Sequence, residues 1–365
     1  MPQLQPFPYC HHLPPGRYEE LPVTREGVRG LEPQPFVRDD WSGFRELDVV
    51  TNQGGRFVRG LCGLLPSADF RSGAVRPHEQ LLTARVERQR RDVVADGGAL
   101  GKPVLLTVPS LADFWRRQPL VPQLPELLGA GAGAEGLVEM EAGQAVHWRG
   151  DNHTYELRRL RGKQEPVELA EFGPVVIADG HHRAGTHALL SETHGEAYRH
   201  IPVVVVGGDE LTIGTFSRVI EANGLAVEEL LAQLTPYFLI TPTPAPAPAP
   251  RVGCWSLSLR GRHFLLERRG ATKLTDTGWF YQTVLPPVFG IEDSRSDPRL
   301  EAVDPVADEA GRPVVRAEQY ERAVFRGFPL PAERFFGEVA DGNVLPPKST
   351  RFEPRVPSGL LVWVP

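Results

Sequence analysis

Cysteine is scarce: three in 365 residues, Cys10, Cys62 and Cys254, with no CxxC pair. That excludes a disulfide framework and a cysteine-ligated structural zinc site, and it fits a reducing cytoplasm. Long hydrophobic runs are missing too. The longest aliphatic stretches, such as IPVVVV at 201–206, fall far short of a membrane span, and the start MPQLQPFPY has neither a basic n-region nor an apolar h-region. The sequence therefore reads as soluble, unexported and cytoplasmic, with no membrane partner. Neither sign of charge is in large excess. Forty basic and 46 acidic residues leave a formal charge of -6, which supplies no field for a polyanion, so nucleic acid is not the expected partner.

What the chain does have is 41% hydrophobic residues, ample for a buried core, together with 37 glycines and 36 prolines. Turns should be plentiful and long helices few, which argues against coiled coils and bundles. Residues 1–35 are rich in proline and turn formers and should be an extended surface segment. Alternation from Arg45 to Leu65 predicts strands. Pro77 suits a first helical position, and Leu81, Leu82, Val86, Val93 and Val94 recur at helical spacing, so His78 and Glu79 are expected in the first turn of a helix. KPVLLTVPS at 102–110 reads as a buried strand. GPVVIADG at 173–180 followed by HHRAGTHALL gives strand, tight turn, helix, and IPVVVV adds a further strand.

A mixed sheet with helices against it is the economical fold for the first two-thirds. From Leu211 onward the pattern is one helix at 227–234 and strands around 237–241, 254–260 and 263–267. The expected class is thus α/β to α+β, with domains at 1–208 and 209–365. The Pro-Ala tract at 241–250 is read as a stiff loop inside the second domain, between strands that need each other as partners; the alternative is an interdomain linker, with the boundary at the tract itself.

Several short motifs resemble known sites and fail on context. Gly131, Gly133 and Gly136 satisfy GxGxxG, but a helical pattern precedes them and a strand follows, the reverse of a dinucleotide site. GGALGKP at 97–103 is one residue short of a phosphate loop, and Pro103 stands where Ser or Thr should hold magnesium. His78-Glu79 begins like a zincin helix, but Leu82 replaces the second histidine. Tyr9-Cys10-His11-His12 carries metal-capable atoms with no further ligand at suitable spacing.

Asp179-Gly180-His181-His182-Arg183 survives. It stands at a strand-to-helix turn, where unpaired N–H groups and the positive end of the helix dipole favour an anion such as phosphate. Arg183 offers a forked donor, the imidazoles of His181 and His182 offer more, Gly180 permits close approach, and Asp179 has the chemistry to hold magnesium or orient an imidazole. Two other readings stay open. In one, Asp179 caps the helix and the histidines are ordinary core or surface groups; in the other, Asp179, His181, His182 and His187 form a transition-metal site.

VRPHEQL at 75–81 and VIADGHHRAG at 176–185 resemble the paired signature of the free serine kinases of the ParB/sulfiredoxin-like superfamily. The whole chain is similar to a longer bacterial family of unknown function in that superfamily. Further matches are Glu87-Arg88, Val146-His147-Trp148, Ser217-Arg218-Val219-Ile220 and LPPKSTRFEPRVPSGLLV at 345–362.

The resemblance implies a ParB/sulfiredoxin-like mixed-sheet domain binding ATP or ADP with Mg2+, Glu79 as general base beside His78, and the 179–183 turn on the phosphates. The partners would be the nucleotide and a small hydroxylated metabolite, free L-serine among the candidates, and a homo-oligomer is compatible with it. The chain departs from the kinases in two ways. About a hundred residues separate Glu79 from Asp179, and Ala184 stands where they have an aromatic residue. Lys348, in a rigid Pro-flanked segment with Ser349 and Thr350, is a candidate phosphate ligand; a solvated loop is the alternative. A competing function is a nucleotide-binding switch that turns over no metabolite. A sulfiredoxin-like reductase is discounted, because positions 179–183 contain no cysteine.

Overall fold

The computed structural model describes residues 1–17, 36–51, 56–79, 81, 83–95, 101–118, 145–150, 152–161, 165–222, 224–307, 313–316 and 319–364. The glycines at 131, 133 and 136, and residues 97–100 of GGALGKP, lie outside them. Two compact units emerge: residues 1–212 with 354–365, and residues 213–353. The last twelve residues thus return to the first unit, unlike the expected single C-terminal block from residue 209. Backbone bonds hold them there: Val362 and His11 exchange N–H to carbonyl bonds of 2.8 and 2.9 Å, and Gly359 donates to the Gly101 carbonyl at 2.7 Å.

The first unit is built on a nine-stranded mixed sheet. Its strands are β1 (Gly16–Arg17), β2 (Arg45–Thr51), β3 (Phe57–Pro66), β4 (Val75–Arg76), β5 (Val104–Val108), β6 (Ala145–Arg149), β7 (His153–Arg159), β8 (Val175–Asp179) and β9 (His200–Gly207). Across the sheet they run β1-β6-β7-β2-β3-β9-β5-β8-β4. The main helices are α1 (Thr83–Ala95) and α2 (His181–Thr193).

The apolar runs read as strands become the core. All five residues of β5 are buried, as are Val175, Val176 and Ile177 of β8 and Ile201, Val203 and Val205 of β9. Val104, Leu106 and Val108 of β5, Val175 and Ile177 of β8 and the three residues of β9 form one cluster with Leu61, Leu65 and Ala184.

One expected element starts late. The helix begins at Thr83, so Pro77, His78 and Glu79 precede it rather than forming its first turn. The competing force is sheet pairing. Val75 and Arg76 pair in parallel with Val175 and Val176, and the His78 ring is hydrogen-bonded to the Ile177 carbonyl, which keeps this stretch alongside β8.

The second unit is a six-stranded sheet: β10 (Ser217–Glu221), β11 (Phe238–Thr243), β12 (Cys254–Leu259), β13 (Arg262–Arg268), β14 (Leu300–Val303) and β15 (Arg322–Gly327), in the order β11-β13-β12-β15-β10-β14. Every described pairing in it is antiparallel. The helix Val227–Leu234 and the aromatic stack of Trp255 on Phe280, centroids 4.6 Å apart, belong to its core. The Pro-Ala tract does connect two strands of this unit, but β11 and β12 do not pair with each other. Both flank β13.

Candidate functional site

Register in the sheet brings two distant stretches to the carboxyl end of β8. Antiparallel β5 begins where β8 ends, so Lys102 and Pro103, just before β5, arrive beside Asp179. Parallel β4 ends at the same edge, so His78 and Glu79 emerge on the other side of β8. A shift in register between Ile177 and Asp179 marks an irregularity at Ala178, the kind of bulge that re-aims the side chain following it.

Gly180 makes the turn. Its φ is +101°, a left-handed value that suits glycine, and a Cβ there would lie 2.6 Å from Arg183 Nη2. α2 then starts at His181, and no side chain caps it. Asp179 therefore does not act as the cap, and the first N–H groups of α2 have no acceptor from it. The Gly180 carbonyl receives the Ala184 N–H at 2.9 Å, which closes the first turn.

Asp179 sits among cations. Arg183 Nη2 donates to its Oδ2 at 3.1 Å, and Lys102 Nζ is 3.5 Å from the same oxygen. Burial alone would push its carboxyl up; Arg183, Lys102 and Arg355 outweigh burial and hold it far below the usual carboxylate range. Arg183 also donates to the Pro103 carbonyl at 3.2 Å, while its Nε has no partner among the described residues. Arg183 and Lys102 beside Asp179, with Arg355 within electrostatic reach, gather positive charge at a helix N-terminus, an arrangement that can accept a phosphate.

Lys102 and Arg355 were missed by sequence reasoning. Lys102 is the lysine of the failed phosphate loop, and its signal was its place two residues before a strand pairing with β8. Arg355 reaches the site because residues 354–365 fold back onto Gly101, which no local pattern reveals.

The histidines divide by role. His78 is 1% exposed; its Nδ1–H donates to the Ile177 carbonyl at 2.6 Å, and its ring stands edge-on to His181 with centroids 4.4 Å apart. Burial brings His78 down to about 4, so it is neutral at pH 7. Its own N–H donates to His181 Nε2 at 3.4 Å. His181 is likewise buried and held neutral by burial and by His78. The pair pins the residue before Glu79 to the first residue of α2. Glu79 follows directly and is half-buried, and His182 is half-buried on the helix start.

His187 is fully buried against Tyr198. Ala184 is a core residue, 1% exposed, so packing accounts for the absent aromatic residue. Lys348 lies in the second unit. Its φ is +61°, its ammonium sits 5.0 Å from the Phe216 ring centroid, and its carbonyl accepts from Arg218 at 2.9 Å.

Among the described residues, no three or more His, Cys, Asp or Glu side chains are grouped to hold a metal ion. Asp179 supplies one carboxylate, about one-third exposed. That matches magnesium shared between a single carboxylate and phosphate oxygens, and does not match a transition-metal site built on His181, His182 and His187.

Residues 155–299 match the family described as "Protein of unknown function (DUF1015)". The expected resemblance to a family of unknown function is borne out over that segment, which holds the second motif and not the first. The DUF1015 match contains β8, the Asp179 turn and α2, and leaves His78, Glu79, Lys102 and Arg355 outside. No curated protein matches the sequence.

Similar solved structures include a free serine kinase variant in complex with ADP, 15% identical, covering 82% of this chain and 92% of that one at a TM-score of 0.40. A conserved hypothetical protein from Pyrococcus furiosus is 16% identical, covering 81% and 93%, with a TM-score of 0.40. C-terminally truncated SbnI from Staphylococcus aureus is 14% identical, covering 83% and 87%, with a TM-score of 0.41.

Proposed function

We propose that this protein is a nucleotide-dependent phosphotransferase acting on a hydroxyl of a small metabolite, on a ParB/sulfiredoxin-like domain. The observation that carries the reading is the gathering of Lys102, Arg183 and Arg355 around Asp179 at a helix start with no side-chain cap. His78 and His181 hold Glu79 at the same sheet edge.

Phosphoryl transfer is mostly positioning and charge stabilisation, so this apparatus suffices. The acceptor hydroxyl attacks the terminal phosphorus of ATP or ADP, its proton passes to Glu79, and the bond to the leaving nucleotide oxygen breaks. Lys102, Arg183 and the N–H groups at His181, His182 and Arg183 hold the phosphate oxygens and take up the charge on the leaving group. Asp179 would hold Mg2+ together with those oxygens, and the ion would neutralise phosphate charge. His78 is a positioning residue here, since its ring is buried and bonded to backbone. Lys348 enters no step.

The test incubates the purified protein with magnesium, ATP or ADP, and pooled hydroxylated metabolites including L-serine, followed by mass spectrometry. Wild type should yield one phosphorylated metabolite; Glu79→Gln should retain nucleotide and yield none. Equal turnover by Glu79→Gln would reject Glu79 as the base. Nucleotide bound by wild type but never consumed would replace the transferase with a nucleotide-binding switch.

A further inference from the structure

The second unit contains a cavity of about 250 Å³, smaller than a drug-sized site and suited to a small molecule. Val252, Leu274 and Phe328 give it apolar walls, and Arg268, Arg334 and Asp276 are its charged lining. Val252 and Leu274 are 51% and 42% exposed, unusual for large apolar side chains beside a cavity rather than within a core.

Arg268 is the group that needs explaining. Its Nε and Nη1 are buried and have no hydrogen-bond partner among the described residues, and the carboxylate that attracts it electrostatically is that of Asp276. The guanidinium stacks over Trp279, with its carbon 5.6 Å from the ring centroid, and lies beside Gly253. Asp276 is near, but its Oδ2 accepts the Gly253 N–H at 2.7 Å. Arg334, by contrast, is paired with Glu338 and donates to the Lys273 carbonyl. A guanidinium with buried, unsatisfied donors is costly, and structures retain one where a partner completes it.

We propose that this cavity binds a small organic anion, its carboxylate or phosphate held by the fork of Arg268 and its apolar body seated on Val252, Leu274 and Phe328. The site is separate from the Asp179 turn and does not depend on the kinase reading.

The test is calorimetric titration of the full chain with benzoate, phenyl phosphate and the neutral benzamide. Benzoate or phenyl phosphate should bind saturably, the tighter of the two naming the head group, with benzamide at least tenfold weaker. Arg268→Met should weaken that binding by tenfold or more, and Arg268→Lys, which keeps the charge and guards against misfolding of the first variant, should weaken it less. ADP binding should be the same in all three proteins. Anion binding unaltered in Arg268→Met, equal binding of benzamide, or no binding of either anion would each overturn the proposal.

Discussion

One residue in the first unit holds a conformation that only glycine takes without strain, and another sits in an environment that costs free energy. Gly180 adopts φ +101° where Arg183 folds over it, so an added methyl meets both a strained backbone and the guanidinium. Gly180→Ala should lose about 1–2 kcal/mol of stability from strain alone. It should also weaken ADP binding by roughly tenfold, because the added methyl displaces the Arg183 guanidinium from the turn that would hold the phosphate. Denaturant unfolding and calorimetry check the two effects separately, and unaltered ADP affinity would detach Arg183 from phosphate binding.

His187 is a cost without a ligand. Both ring nitrogens are buried and lack partners among the described residues, and burial lowers it to about 4. Its folded value is depressed, so its stabilising contribution is complete above the ordinary value near 6.5 and drains away as pH falls toward 4. There the unfolded chain takes up a proton that the folded one refuses. His78 behaves the same way, and each can withdraw about 3 kcal/mol. His187→Leu should therefore make the loss of stability between pH 7 and 5 shallower. It should also add about 1 kcal/mol at pH 7 by removing unsatisfied nitrogens. Urea unfolding across that range decides it, and an unaltered slope would place the titration elsewhere.

At the scale of elements, the site belongs to β8 and its two neighbours. The Asp179 carboxylate attracts Arg183, Lys102 and Arg355, so it competes with a phosphate for them whenever magnesium is absent. Asp179→Asn should then bind ADP more tightly in the presence of a chelator, by roughly tenfold. With magnesium it should lose turnover. Weaker binding in the chelator would instead make Asp179 an organiser of Arg183 and Lys102.

The strand, the turn and α2 were legible because buried apolar runs, Asp-Gly and a helical repeat all lie within one short stretch. The helix expected at Pro77 was misplaced because a two-strand parallel pairing and a single imidazole bond outweigh local helix preference there. Lys102 was invisible for a related reason: only the antiparallel register of β5 against β8 joins it to Asp179, and register is not a local property.

At the scale of the whole molecule, the decisive feature is that residues 354–365 belong to the unit that begins the chain. They bring Arg355 within electrostatic reach of Asp179 and Lys102. They also bury Val356, Leu360, Leu361, Val362 and Trp363, each at most 7% exposed. Burying five such side chains contributes about 10 kcal/mol, comparable with the entire net stability of an ordinary domain. A chain ending at Glu353 should therefore fail to fold its first unit, even though it retains every residue of β8 and α2. Limited proteolysis should cut within residues 1–212 and spare the core of 213–353, which has its own sheet and apolar cluster. ADP binding should vanish with the first unit, while anion binding at Arg268 persists. A truncated chain that melts like the full one and still binds ADP would show that Arg355 and the returning segment are dispensable to the site.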